Sequence, residues 1–587
     1  MDEAKLKRLG RAIETSYRGL ESFRLLNSGL VKEFAGPGYG TAGDEINRQK
    51  YLNLMNQAIE AYMMLLSANV PRVLTTAKTK AYSGFATHLK TALNNLLVEI
   101  EFHKTHTDWV LDAFFCVGVV KIHMADTGEI VAEDDILMDP GTPFVSNISI
   151  DDWVYDKGAT KLTRAKFMGD MYRIAFEELK NEQYDQEVVA ELSPTSKQDG
   201  SGERLEQISV GTEVDDDEFE PMIDLADIYI ASEKKVYTFA VTNRRTFTID
   251  PRPLMEYDWV GTEKGPYRDL GFSKVPKNIM PVGPASQLIE LDKLINNLMR
   301  KQSRQAHRQK ENPVYTPAGA DDARSLRNAG DGEWIKVQDP REVNVIRQGG
   351  ADPGNQNFML NSMELFDRMA GNLPALLGLG ASSDTVGQEK LIHGAASRKE
   401  GQMSRIVFEA TLDVIRELAF LLWNDKFKTI PGELTIDGFP GYSAESNWTP
   451  DDREGEFRDY QIDIDVHSLA YQSPGERVGA IMGLLERTYI PMMQVLEAQG
   501  GTIDFSELTD ILSELLNLPR LKDVVVFTAP IAEQEAGGGM TGPSHERSMP
   551  ASTQRSYVRQ DAGSGPRAVP QQTAVPQQQQ QAPQPSR

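Results

Sequence analysis

The sequence predicts a mainly helical protein with smaller β parts, an α+β fold. Three observations carry that expectation. Long stretches free of proline, above all 285–312 and 386–424, place apolar residues at helical spacing. Shorter alternating stretches between about 113 and 258 read as strands and hairpins. The hydrophobic fraction of 40% and charged fraction of 25% are those of an ordinary globular chain, and 587 residues at roughly 100–200 per domain give three or four units.

Charge narrows the function classes. A formal net charge of −24 argues against tight wrapping of nucleic acid, whose affinity comes from Lys and Arg displacing counterions from phosphate. It does not argue against guiding DNA, because a weakly repelling surface lets a polyanion slide. The apolar run AFFCVGVV at 113–120 is far shorter than the roughly 18 residues that a spanning helix needs. The opening MDEAKLKRLGRAIE is a charged amphipathic pattern rather than a signal peptide, so a protein with no membrane segment and no export address is expected. Cys116 is the only cysteine, which excludes an intramolecular disulfide, and its setting between Phe115 and Val117 favours a buried, inert thiol.

Taken in order, Leu6, Leu9, Ile13, Leu20 and Phe23 recur at helical spacing, and Tyr51 to Leu65 does so again until Pro71. A third helix is expected over about 83–112. CVGVVKIHM, a turn at 125–128 and EIVAED read as a hairpin, VSNISIDDWVYDK as a strand with a loop, and LTRAKFMGDMYRIAFEELK as helix. The polar, acidic stretch 192–220 reads as a solvated excursion, and MIDLADIYIASEKKVYTFAVTNRRTFTID as two or three strands ended by Pro251 and Pro253.

Between Pro284 and Pro313 there is neither Pro nor Gly, so residues 285–312 are expected to form one helix about 42 Å long. Its apolar seam of Leu288, Leu291, Ile295 and Leu298 continues as Gln302, Gln305 and Gln309. Arg300, Arg304 and Arg308, spaced by four, place three guanidinium groups on one face. A compact insert at 313–348 has short strands expected at PVYTPAG, IKVQDP and VNVIR around a charged turn. A helix from about 355 to 369, a Gly- and Ser-rich loop, and a long helix over 386–424 follow. Strands are expected at LTIDGF and YQIDIDVHSL, a helical group begins at the capping box Ser473-Pro-Gly-Glu, and a Gln- and Pro-rich tail from about 531 cannot bury enough apolar surface to fold alone.

Catalytic motifs are missing. No G-x-x-x-x-G-K-[ST] phosphate loop occurs, and GLGASS at 378–383 holds only a lone GxG after a helix. Glu99, His103 and His106 would share one face of a continuous helix, a weak metal-ligand pattern without H-E-x-x-H. The acidic runs at 215–218 and Asp134-Asp135 read as solvated charge. No catalytic residue, metal or cofactor is assigned, and a structural role is expected over an enzymatic one.

The order of elements resembles the portal, or head-to-tail connector, proteins of tailed bacteriophages, most of all those of short-tailed phages. The residues carrying the likeness are ASQLIELDKLINNLMRKQSRQAHRQKEN as a first stem helix, PVYTPAG to NVIR as a clip, NQNFMLNSMELFDRM as a second stem helix, LGLGASSDTVG as a tunnel loop and QEKLIHGAASRKEGQMSRIVFEATLDVIRELAFLLW as a long wing helix. WVLDAFFCVGVVKIHMADTGEI and ISIDDWVYDKGATKLTRAKFMGDMYRI resemble the wing.

The resemblance implies a wing at 1–284, stem helices at 285–312 and 349–375 around a clip at 313–348, and a tunnel loop at 376–387. The wing would resume at 388–470, with a crown at 471–530 and a disordered tail at 531–587. It further implies a twelve-subunit ring at one capsid vertex of the virion, through which double-stranded DNA is packaged and ejected. The terminase large subunit, the major capsid and scaffolding proteins and tail adaptors would be its partners. By the same analogy Leu377, Gly378, Gly380, Ala381, Ser382, Ser383, Asp384 and Thr385 would face the channel, and Tyr315, Arg324, Arg327 and Trp334 would meet terminase or adaptors. The basic residues Arg300, Arg304 and Arg308 would bridge to acidic groups on neighbouring copies. A tail adaptor or internal core protein of similar helical composition is the alternative, and an enzyme with an unrecognised site the third.

Overall fold

The computed structural model describes residues 2–36, 52–67, 70–125, 131–133, 136–138, 141–180, 183–195, 220–330, 334–373, 386–425, 430–435, 443–448, 453–465 and 483. The chain divides into Met1–Ile481 and Met482–Arg587, and every element named below belongs to the first unit. The expected tail, all of the expected tunnel loop but 386–387, all of the expected crown but Gly483, and nearly all of the acidic excursion lie outside the described residues. Among the described residues helices and strands are mixed, and no helix is long and apolar enough to cross a membrane.

The N-terminal part is helical as its periodicity requires: α1 (Glu3–Arg18), α2 (Glu21–Ala35) and α3 (Leu54–Leu66). After the short strand β1 (Val73–Ala77), the single helix expected over 83–112 is two, α4 (Ser83–Glu99) and α5 (Phe102–Phe115). The break sits at Glu101, whose φ of 49° is left-handed and incompatible with a continuing helix. It lets both helices bury apolar faces in one core, with Leu89, Leu93 and Leu97 from α4 and Trp109, Val110 and Phe114 from α5.

Three of the strand expectations are corrected. The strand β2 (Gly118–Ala125) does not form a hairpin with 129–134; that segment closes on itself as β3 (Val131–Glu133) and β4 (Ile136–Met138). The strand β2 is instead the central strand of its own sheet, paired with β5 (Thr142–Ile148) on one edge and β11 (Tyr267–Leu270) on the other. The segment expected to return to helix is the strand β7 (Phe167–Ala175), placed between β6 (Trp153–Tyr155) and β8 (Met222–Ile230). Its Met and Arg are good helix formers, but tertiary pairing prevails, and Gly169 admits the close approach of Ile228. Between β7 and β8 lies one helical turn, α6 (Gln186–Val189). The strands β9 (Lys235–Asn243) and β10 (Thr248–Asp258) complete an antiparallel sheet of order β10-β9-β8-β7-β6. Pro251 and Pro253 do not end β10; they lie in an edge strand with register shifts, where a missing N–H costs no ladder bond.

One face of this sheet is covered by α1 through Leu6, Ile13 and Tyr17. The other meets the three-stranded sheet through buried charge. Lys121 on β2 reaches Asp170 on β7 at 2.8 Å and Asp227 on β8 at 2.7 Å. Tyr267 donates to Asp170, and Tyr172 and Thr238 donate to Asp227. Burial disfavours the ammonium, but the two carboxylates outweigh it and hold Lys121 charged.

The remaining helices are α7 (Pro284–His307), α8 (Ala320–Asn328), α9 (Pro353–Ala370) and the 39-residue α10 (Val386–Asn424). Strands β12 (Lys310–Tyr315) and β13 (Val343–Gln348) flank α8, and β14 (Ile430–Thr435), β15 (Ser443–Trp448) and β16 (Tyr460–Ile464) follow α10. Val407, Leu412, Ile415, Leu418 and Leu422 of α10 are buried in the main core, and β16 pairs with β1. His106 of α5 pins this helix: its Nδ1 lies 2.9 Å from Ser67 Oγ and its Nε2 2.9 Å from Thr411 Oγ1. The helix break thus separates Glu99 from the two histidines, and His106 is spent on core hydrogen bonds with its pKa pulled down to about 4 by burial. Cys116 is buried too, its thiol pushed up to about 12.

Lys121→Met should destabilise the chain by about 3–5 kcal/mol in urea unfolding, since it leaves Asp170 and Asp227 buried without their cation. Asp112 supplies a pH test. Burial pushes its pKa up to about 7 against the hydrogen bond from Asn147, with Asp108 and Asp151 adding to the rise. From roughly pH 4, the unfolded value, to about 7 the folded chain holds a proton that the unfolded chain lacks, so this contribution to stability is lost as pH rises. Asp112→Asn should flatten the stability profile across that window, measured by thermal melts at stepped pH.

Candidate functional site

The α7 and α9 helices form a pair rooted in the core at one end and joined by a small β-hairpin at the other. The first half of α7 is amphipathic: Leu288 and Ile295 are buried, and Leu291, Leu298 and Met299 half-buried, in a cluster with Met359, Phe366 and Ala370 of α9 and Ala58 and Ala61 of α3. Asn296 ties this half to the body, accepting from Leu52 N at 3.1 Å and donating to Leu52 O at 2.9 Å. Beyond Met299 the seam carries Gln302 and Gln305, whose Nε2 and Oε1 are shielded from solvent without a hydrogen-bond partner among the described residues. The pair leaves the core where its apolar seam ends.

The helix expected over 285–312 is shorter than the sequence implied, ending at His307 rather than 312 and spanning about 36 Å. Pro313 pushes Asn312 out of the helical region, and Lys310–Tyr315 instead pairs antiparallel with Val343–Gln348. Inside the hairpin the expected charged turn is α8, and IKVQDP is not a strand. Asp322 is buried and holds that loop, its Oδ2 accepting from Gln338 N at 2.8 Å and Asp339 N at 3.3 Å. Gly349 and Gly350, with φ of 76° and 113°, turn the chain out of β13, and Asp352 caps α9 with Pro353 in its first turn.

At the root, α9 ends in a left-handed cap at Gly371 and Asn372, with φ of 101° and 59°. Its last carbonyls are taken by two other helices: Tyr62 Oη donates to Ala370 O at 2.7 Å, and Lys399 Nζ to Met369 O at 2.6 Å. A methyl group at Gly371 would overlap Tyr62 Oη and press on Lys399. The Tyr62 hydroxyl is pushed up to about 12 by burial and by Glu400, so it stays a donor, and burial draws the pKa of Lys399 down.

No family model and no curated protein matches this chain. Its functional reading rests on the geometry of the pair.

Of the residues singled out in the sequence, Arg300 and Arg304 lie on α7, and their Nε atoms fold back on the carbonyls of Asn296 and Arg300, each at 3.3 Å. Arg308 stands just past the helix end as its cap residue, so the three arginines continue one face only approximately. Arg304 and Arg308 pair with no carboxylate among the described residues, and both favour the negative end of the helix dipole. At the distal end Tyr315, Arg324 and Arg327 are exposed, Arg324 making a surface pair with Asp321, and Trp334 is 100% exposed. Leu377 to Thr385 lie outside the described residues. Missed by the sequence reading were Tyr62, Lys399 and Gly371; Gly-Asn directly after an apolar helical period was the signal available for the last.

A second apolar face also emerged. Phe358, Leu365 and Met369 lie at i, i+7 and i+11 on α9, turned about 100° from the buried Met359 and Phe366, and are 53%, 47% and 40% exposed.

Tyr62→Phe should cost about 1–2 kcal/mol in urea unfolding, leaving the Ala370 carbonyl buried without its donor. Gly371→Ala should cost more, because strain and overlap add to that loss. Gln302→Leu should have the opposite sign, stabilising the isolated chain by roughly 1 kcal/mol as an unpartnered amide gives way to apolar contact.

Proposed function

We propose that this chain is the subunit of a bacteriophage portal ring, a non-enzymatic conduit at the capsid vertex through which double-stranded DNA is packaged and ejected. The observation that carries the reading is the α7–hairpin–α9 projection, which leaves a mixed α+β body, returns to it, and leads into the long helix α10. A helix pair of this kind, supported by the body at one end only, gains burial from identical neighbours. The row Phe358, Leu365 and Met369 is the apolar surface on which a neighbour would pack. In this reading the hairpin and α8 are the clip, offering Tyr315, Trp334, Arg324 and Arg327 first to the terminase and then to tail adaptors. The body is the wing that meets capsid and scaffolding proteins.

Twelve copies would carry twelve times −24 charges, a ring that repels DNA over most of its surface. In this reading the basic end of α7 bridges acidic groups on neighbouring copies.

Electron micrographs and solution mass test the reading. Ring-shaped end views with a central hole and a mass near twelve times 65.4 kDa are expected; a monomer under assembly conditions would overturn it. Replacing Phe358 and Leu365 together by Ser should abolish rings while circular dichroism stays that of the folded chain. Reversing Arg300, Arg304 and Arg308 to Glu should also block assembly. Intact rings with impaired DNA packaging would reassign those arginines to the channel.

A further inference from the structure

A cavity of about 110 Å³, open on one side, lies at the root of the helix pair, where α3, α5, α7, α9 and α10 converge. Its walls are mainly apolar, with Ile59, Phe114, Phe272, Leu288, Met403 and Ile406 among them. Its volume is somewhat below that of the cavity of roughly 150 Å³ known to take up benzene, so an apolar part of up to about six heavy atoms fits, with any polar end left at the open mouth.

One charged group lies on this wall. Lys399 enters from α10, and its pKa is lowered by burial alone, with no charged neighbour contributing. Its ammonium donates to Met369 O at 2.6 Å and lies 6.0 Å from the centre of the Tyr62 ring. Among the described residues no carboxylate pairs with it. A partly desolvated ammonium with one carbonyl and a π face for partners recovers more from an anion than from a neutral ligand. The apolar walls exclude a strongly hydrated dianion such as phosphate, and Ser273, Gln287 and Gln402 supply neutral polar groups beside the apolar wall.

We propose that this cavity is a binding site for a small apolar monocarboxylate, its ring or branched chain among the apolar side chains and its carboxylate on Lys399 Nζ. Such a ligand would sit against the joint at which Tyr62 and Lys399 hold the last carbonyls of α9. The inference stands on the cavity and does not depend on the portal reading.

Sodium benzoate, benzyl alcohol and inorganic phosphate titrated calorimetrically into the full-length protein test it. Benzoate should bind saturably, at roughly millimolar concentration as its few heavy atoms allow, and phosphate should not bind. Because an anion raises the depressed pKa of Lys399, benzoate binding at alkaline pH should take up protons, seen as a heat that varies with the ionisation enthalpy of the buffer. Lys399→Met should weaken benzoate by about tenfold or more, abolish the proton uptake, and leave benzyl alcohol within about threefold. Ala285→Leu, which fills the cavity from α7, should abolish binding of both aromatic probes. If that variant fails to fold, the Lys399→Met comparison decides alone. Absence of saturable benzoate binding up to about 20 mM, or equal binding to wild type and Lys399→Met, overturns the proposal.

Discussion

The structure turns on where the apolar seam of α7 stops. Up to Met299 the helix offers Leu288, Leu291, Ile295 and Leu298 to α3 and α9, and hydrophobic burial holds it in the body. From Gln302 onward the same positions carry amides, which gain little from burial and lose hydrogen bonds to water. A helix that continues past the end of its apolar seam must leave the core, and this one continues for about two turns before Pro313 and strand pairing end it. The projection of the hairpin follows from that one change of residue type.

What leaves the body must also be tied to it. The C-terminal end of α9 is where the projection rejoins the rest, and there its last four carbonyls are all taken: Asp367 O and Arg368 O by the backbone N–H groups of its own left-handed cap, Ala370 O by the Tyr62 hydroxyl and Met369 O by the Lys399 ammonium. Gly371 is required twice over, by its positive φ and by the Tyr62 hydroxyl beside it. The cavity next to this joint leaves it room, in contrast to the sheets, where Lys121 locks two layers through a fully enclosed pair of carboxylates. Body and projection are therefore held by different means: charge and aromatic packing within the sheets, a few capped carbonyls and one apolar cluster at the root.

Local signals placed the helices well. The 3.6-residue period and absence of proline set α10 at 386–424, the limits it has in the structure; the helix expected from about 355 begins two residues earlier, at Pro353, where Asp352 caps it. Boundaries were lost where a long-range partner intervened. Glu101 adopts a left-handed conformation because two helices had faces to bury in one core, and Lys310–Asn312 became strand because 343–348 arrives from further along the chain to pair with it. The same cause made β7 a strand despite its helix-forming residues and moved the partner of β2 from the adjacent segment to β5 and β11.

By itself the sequence determined the fold class, the order of helix, insert, helix and long helix, and the polarity change along α7, because each is written in local periodicity and residue type. Only the tertiary structure decided that Phe358, Leu365 and Met369 face outward while Met359 and Phe366 face inward, since apolar residues at several helical phases do not say which phase meets the core. It alone decided that Tyr62 and Lys399, 337 positions apart, close the same helix end, that His106 belongs to Ser67 and Thr411, and that Lys121 finds two aspartates on another sheet. Those contacts depend on where distant segments are brought together, and no local pattern encodes a partner that far away.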